Sequence, residues 1–82
     1  MEYEVEFKPK AMKDLDSMQE DSARRVCEKI ERLGHNLEGD VKRLTNFTPE
    51  YRLRVGDYRV LFEVEGNRIV VYRVRHRREV YR

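Results

Sequence analysis

Arg52, Arg54 and Arg59 flank a two-residue turn in the stretch Tyr51-Arg-Leu-Arg-Val-Gly-Asp-Tyr-Arg59. The segment from Arg73 to Arg82 brings five more arginines together with His76 and Tyr81. A guanidinium is a planar fork that matches the oxygens of a phosphate. Basic residues interleaved with Tyr and His are the footprint of single-stranded nucleic acid, with arginine on phosphates and aromatic rings on bases. Metal-free cleavage of RNA uses the neighbouring 2′-hydroxyl as nucleophile. It needs a base for that hydroxyl, cations for the charge growing on the phosphate, and an acid for the leaving 5′-oxygen. The arginines suit the second role and cannot serve as bases, because their pKa is far too high. His76, which titrates near neutrality, and Tyr81 are the proton-transfer groups nearest the cluster.

The charge pattern points the same way. Net charge is +2, but residues 1–40 hold seven Lys/Arg against eleven Asp/Glu, and residues 41–82 hold eleven against five. Ten of those eleven are arginine, Lys42 being the exception. A merely solvated surface usually mixes both residues, so the bias favours an anion-binding site in the second half. No Walker loop, zinc-ligand spacing or Asp/Glu metal cluster is present, so phosphoryl chemistry is expected to run without a metal or other cofactor. His35 follows a helical stretch, where a C-terminal capping role is the simpler expectation.

These residues must be positioned by a small fold. With 82 residues, the chain is expected to form a single domain, 1–82, with little core to spare. Cys27 is the one cysteine, which excludes an internal disulfide and fits a reducing compartment. No apolar run approaches the ~20 residues of a membrane span. The acidic Met-Glu-Tyr-Glu-Val-Glu start is unlike a secretory signal. A cytoplasmic protein without a membrane partner is the expectation.

Residues 2–8 alternate, with Tyr3, Val5 and Phe7 on one face, as a half-buried strand does. Pro9 can open a helix, and Ala11, Met12, Leu15 and Met18 give an amphipathic stretch over roughly 9–17. A second helix carries Ala23, Val26, Cys27, Ile30 and Leu33 on one face, capped by Ser17 with Glu20 or by Asp21, and stopped at Gly34. Cys27 is expected to be a buried small hydrophobe on that stripe. Residues 34–50 read as an extended connection. Three strands follow, 51–55, 58–64 and 69–75, separated by Gly56-Asp57 and Gly66-Asn67 turns. The expected class is α+β: an N-terminal strand, two helices, then a three-stranded antiparallel meander with the helices on one face.

Tight turns fix register. The first places Arg54 opposite Arg59, Leu53 opposite Val60 and Arg52 opposite Leu61. Leu53, Val55, Val60 and Phe62 then share the face expected under the helices. The second turn brings Val70, Tyr72 and Val74 onto the arginine face, with Arg59 opposite Val74 and Leu61 opposite Tyr72. Arg73 and Arg75 fall on the helix side. Like charges directly opposed destabilise a sheet unless Glu50, Glu63 or a bound anion offsets them.

The stretches Tyr51–Phe62 and Val70–Tyr81, together with the Tyr3-Glu-Val-Glu-Phe7 strand and the two helices, resemble the RelE/ParE toxin family of toxin–antitoxin modules. The resemblance spans nearly the whole chain. The RelE branch implies a ribosome-dependent, metal-independent mRNA endonuclease acting in the ribosomal A site, with the ribosome and its 16S ribosomal RNA as partners. It also implies a RelB-like antitoxin. The ParE branch shares the fold and implies a gyrase inhibitor without nuclease activity. Matching the RelE pattern assigns catalytic roles to Arg52, Arg54, Arg59, Arg77 and Tyr81; from the basic and aromatic residues themselves, Arg52, Arg54, Tyr72, His76 and Arg78 are expected to bind RNA. Well-known members carry lysines where this chain has Arg52 and Arg54. The base must therefore be sought at Tyr81, at His76, in the substrate or on the ribosome. A plain RNA-binding module without chemistry is a third reading.

Overall fold

The computed structural model describes residues 1–80. Its elements, in chain order, are β1 (Glu4–Phe7), α1 (Pro9–Ser17), α2 (Glu20–Leu33), β2 (Asp40–Arg43), β3 (Tyr51–Val55), β4 (Tyr58–Glu65), β5 (Arg68–His76) and α3 (Arg77–Val80). The sheet corrects the three-stranded antiparallel meander expected from the sequence. It is a mixed five-stranded sheet in the order β1-β5-β4-β3-β2. β1 runs parallel to β5, and β2 adds an antiparallel edge to β3. The connection read as merely extended therefore contains a strand. Its sequence, Asp-Val-Lys-Arg, holds one apolar residue and is largely exposed, so alternation gave no signal. Only pairing with β3, across the connection 44–50, defines it.

Pro9 occupies the first turn of α1, where a missing N–H costs nothing. Ser17 donates its hydroxyl to the Asp14 carbonyl at 2.9 Å instead of capping α2. The N-cap of α2 is Gln19, which makes no side-chain cap bond; Glu20 and Asp21 in the first turn complement the helix dipole. Gly34 ends α2 with φ −61°, so close approach, and not a left-handed turn, explains the glycine. A Cβ there would meet the Glu31 carbonyl oxygen at 3.2 Å and Val5 Cγ2 at 3.6 Å. The Tyr3 N–H reaches the Gly34 carbonyl at 2.8 Å, locking β1 to the end of α2.

The core lies between the helices and one face of the sheet. Val26, Ile30 and Leu33 of α2 and Ala11 of α1 pack on Leu53, Val55, Val60, Phe62, Ile69, Val71 and Val74. Tyr51 stacks on Phe62 with ring centroids 5.5 Å apart. The buried stripe of α2 is narrow, and Cys27 is exposed, contrary to expectation. Its position is one residue past Val26, where the helix has already turned away from the sheet.

A β-bulge shifts the expected register of β5 against β4. Phe62 pairs with Val71, but the next residue, Leu61, pairs with Arg73, leaving Tyr72 as the extra residue. A one-residue slip exchanges the faces of everything beyond it. Val74 thus joins Val60 in the core and is 4% exposed, while Arg73 and Arg75 face Leu61 and Arg59. Asp14 secures the slipped register from α1. It accepts Nε and Nη2 of Arg73 at 2.8 and 3.1 Å and the Val74 N–H at 2.9 Å. Burial pushes the Asp14 carboxyl up. The Arg73 and Val74 hydrogen bonds, with the Arg73 and Arg75 charges, outweigh it and hold the carboxyl below its ordinary value.

Candidate nucleic-acid interface

The β3–β4 hairpin has the register that its two-residue turn demands. Arg54 pairs with Arg59, and Arg52 with Leu61. The bulge extends the row: Arg59 pairs with Arg75 on β5, while Asp40 of β2 pairs with Arg54. One rung across four strands therefore reads Asp40, Arg54, Arg59, Arg75. Directly opposed Cβ atoms in such a rung stand about 5 Å apart, so the arginines repel unless offset.

Asp40 supplies one offset. Its Oδ2 lies 3.0 Å from Nε of Arg54, and Nη1 of Arg52 donates to the Asp40 carbonyl at 3.0 Å and approaches Oδ1 at 3.4 Å. The Arg52 side chain is only 14% exposed, so its guanidinium is held in place. Arg75 reaches Glu79 at 3.5 Å. Arg59 donates Nη1 to the carbonyls of Gly56 and Tyr58, at 2.9 and 3.0 Å, which folds it over the hairpin tip. Gly56 adopts φ 57°, the left-handed geometry such a turn needs.

The chain exit docks on that same tip. The Arg77 N–H donates to the Asp57 carbonyl at 2.7 Å, and Nε of Arg77 stands 3.8 Å from the Asp57 carboxylate. This brings Arg77 beside the turn that carries Arg59. Arg78 is exposed, and its backbone N–H is tied to Nδ1 of His76 at 3.3 Å. His76 pairs with Tyr58 and meets its ring edge-on at 5.6 Å, in a cleft shared with Asp14, Ser17, Met18 and Gln19. Its ring is on the helix side and not with the Arg54–Arg59 pair. Tyr72 is half-buried, with the Lys8 ammonium 5.4 Å from its ring centroid. Tyr81 lies outside the described residues.

Glu50 and Glu63 do not neutralise the arginine rung. Glu50 pairs with Arg43 at 3.0 Å, and Glu63 accepts the Glu50 N–H at 3.0 Å, so both organise the approach to β3. His35 does not cap α2 through its ring, which pairs with Glu2 at 2.7 Å, holding the imidazole above its ordinary pKa. Three site members were missed in the sequence: Asp40, Asp57 and Arg75. Asp57 was read only as turn chemistry. Asp40 and Arg75 become visible only through β2 pairing and the bulge. Among the described residues, no three His, Cys, Asp or Glu side chains cluster as a metal-ligand set. Chemically, the site is a set of guanidiniums braced by carboxylates at one end of the sheet, a geometry that can accept phosphate oxygens.

Comparison with known proteins gives a consistent frame. Residues 5–81 match the family described as the ParE toxin of the type II toxin–antitoxin system parDE. The putative toxin RelE1 of Methanocaldococcus jannaschii is 33% identical over 84 residues, covering 96% of this chain and 93% of that protein. Toxin RelE3 of the same organism is 40% identical over 47 residues, 57% of this chain, and the match spans about half of that relative, 53%. In the crystal structure of the RelB-RelE antitoxin-toxin complex from Methanococcus jannaschii, a chain 33% identical superposes with a TM-score of 0.78, covering 94% of this chain and 95% of that one.

Proposed function

The chain belongs to the RelE/ParE family of type II toxins, and on that premise we propose that it is a ribosome-dependent mRNA endonuclease neutralised by a RelB-like antitoxin. The antitoxin assignment rests on similarity to a RelE chain solved with RelB. The nuclease assignment rests on one observation above the others. The Arg54–Arg59 pair and Arg77 converge on the β3–β4 tip, while Asp40 fixes Arg52 and Arg54 from the neighbouring strand. Such a cluster offers preorganised guanidinium donors to a phosphate whose charge grows in the transition state.

In the proposed reaction, Arg52 and Arg54 grip the mRNA backbone. Arg59 and Arg77 receive the non-bridging oxygens of the scissile phosphate. The substrate 2′-hydroxyl attacks phosphorus, forming an O2′–P bond as the P–O5′ bond breaks. The 2′ proton leaves to a base, and the 5′-oxygen takes a proton. Tyr81 is the proposed proton-transfer or base-stacking group. His76 carries no part of this proposal, because its ring faces Tyr58. Arg78, exposed one residue beyond Arg77, is left with backbone contacts to RNA.

Induced Arg59→Ala and Tyr81→Ala variants are expected to relieve growth arrest while still folding and binding the antitoxin. Full toxicity in both would overturn the reading. A second reading, a gyrase inhibitor of the ParE kind, is favoured by the description of the matching family. On that reading induction yields DNA-damage signalling with intact mRNA.

A further inference from the structure

The bulge does more than reset the register. It leaves Tyr72 outside the cross-strand pairing, between Val71 and Arg73. Two residues on from Val70, which pairs with Glu63, Tyr72 keeps the side of the sheet that carries Leu61 and Arg59. Beside it opens a cleft of about 530 Å³ lined by Lys8, Pro9, Lys10, Pro49, Tyr72 and Arg73. Its walls are flat and mostly apolar: one phenol ring and two prolines. Its cations are not equivalent. Arg73 is engaged by Asp14 through Nε and Nη2. Lys8 and Lys10 are exposed at the rim, and Lys8 covers the Tyr72 ring.

A flat aromatic wall with ammonium groups at its rim matches a ligand that is planar at one end and anionic at the other. Tyr72 stands one strand spacing, about 4.8 Å, from Leu61 and two further residues, about 6.6 Å along the strand, from Arg59. The cleft therefore lies along the path that a single strand would take away from the arginine rung.

We propose that this cleft is a nucleotide subsite for single-stranded RNA, with a base stacked on Tyr72 against Pro49 and the adjoining phosphates met by Lys8 and Lys10. The subsite rests on the RNA reading given above and deepens it, adding to the arginine rung a second point of grip on the opposite side of Leu61. On binding, the Lys8 ammonium leaves the ring face to the base and moves to the phosphate.

The test uses the purified chain and a fluorescein-labelled 2′-O-methyl hexa-adenylate, which cannot be cleaved by 2′-hydroxyl attack, with anisotropy read at several salt concentrations. Tyr72→Leu is expected to weaken binding about tenfold, and Tyr72→Phe to leave it within about twofold, because stacking needs the ring and not the hydroxyl. Lys8→Gln and Lys10→Gln are each expected to reduce the salt slope by about 0.7, the value for one phosphate contact on a single strand. If Tyr72→Leu and both lysine variants bind like the wild type while Arg52→Ala binds weakly, the subsite is overturned and the RNA reading stands. If the wild type itself fails to bind, the subsite is again overturned, and mapping mRNA 5′ ends after induction decides the wider reading. Should Tyr72→Leu lose its thermal unfolding transition, the exposed Lys10→Gln carries the decision alone.

Discussion

At the scale of single residues, the site is defined by how its arginines are held. Arg59 is folded over the hairpin tip by two backbone carbonyls, and Arg77 is docked on the same turn through Asp57. Removing one preorganised donor to a developing oxyanion costs about 10²–10³ in rate. Arg59→Ala is therefore expected to lower cleavage on translating ribosomes by that factor, with circular dichroism unchanged. Asp40 makes a different contribution, since its carboxylate is engaged by Arg52 and Arg54. Asp40→Asn is expected to lower kcat about tenfold while RNA binding holds or tightens at low salt, because the site gains net positive charge. A parallel loss of binding and rate would assign Asp40 to the substrate contact itself. The opposition of Arg54 and Arg59 was legible from Gly56-Asp57 alone, because a two-residue turn permits one register. Asp40 was not, because nothing local to Gly39-Asp40 says which strand it will join.

Among the elements, β5 carries the bulge that decides which side chains join the arginine rung. Alternation placed Arg75 on the helix side and Val74 on the arginine face; the one-residue slip at Tyr72 exchanged them. Val-Val-Tyr-Arg-Val alternates as readily in either register, so the slip is a tertiary decision. Asp14 reinforces it from α1, bonding both Arg73 and the Val74 N–H. Because the folded-state pKa of Asp14 is depressed, its contribution is present above the ordinary carboxylate range and is lost as pH falls through the folded value. Asp14→Asn is expected to be less stable by about 2 kcal/mol at pH 7, the magnitude of hydrogen bonds to a charged group. That gap should close in acid, as read by thermal melts across pH. A constant gap down to pH 2 would show that the carboxylate charge is not what holds β5. The opposite sign applies to His35, whose pKa is raised by Glu2: its small contribution is present below the ordinary imidazole range and fades as pH rises through the folded value.

The whole molecule is a thin layer of helices on one face of a sheet, with the arginine rung on the other. So small a core leaves little margin. Phe62 is fully buried at the centre of β4 and stacks on Tyr51. Phe62→Ala is expected to cost about 3–5 kcal/mol in urea unfolding, a large share of the ~5–15 kcal/mol typical of a domain. A loss below about 1 kcal/mol would mean that the core is not organised around it. The broad order of a strand, two helices and then strands could be read from apolar periodicity and from Pro9 and Gly34. The mixed five-stranded sheet could not, since the direction of β1 depends on β5, far away in sequence, and β2 has no apolar alternation of its own. The charge asymmetry between the two halves was legible at once, and it is the arginine-rich half that supplies β3, β4, β5 and α3 to one end of the sheet. Mapping mRNA 5′ ends after induction, beside the same messages incubated with purified protein with and without ribosomes, tests the nuclease assignment. New ends within translated frames that require ribosomes and vanish in Arg59→Ala are the expected result; intact messages under a full growth arrest would contradict it.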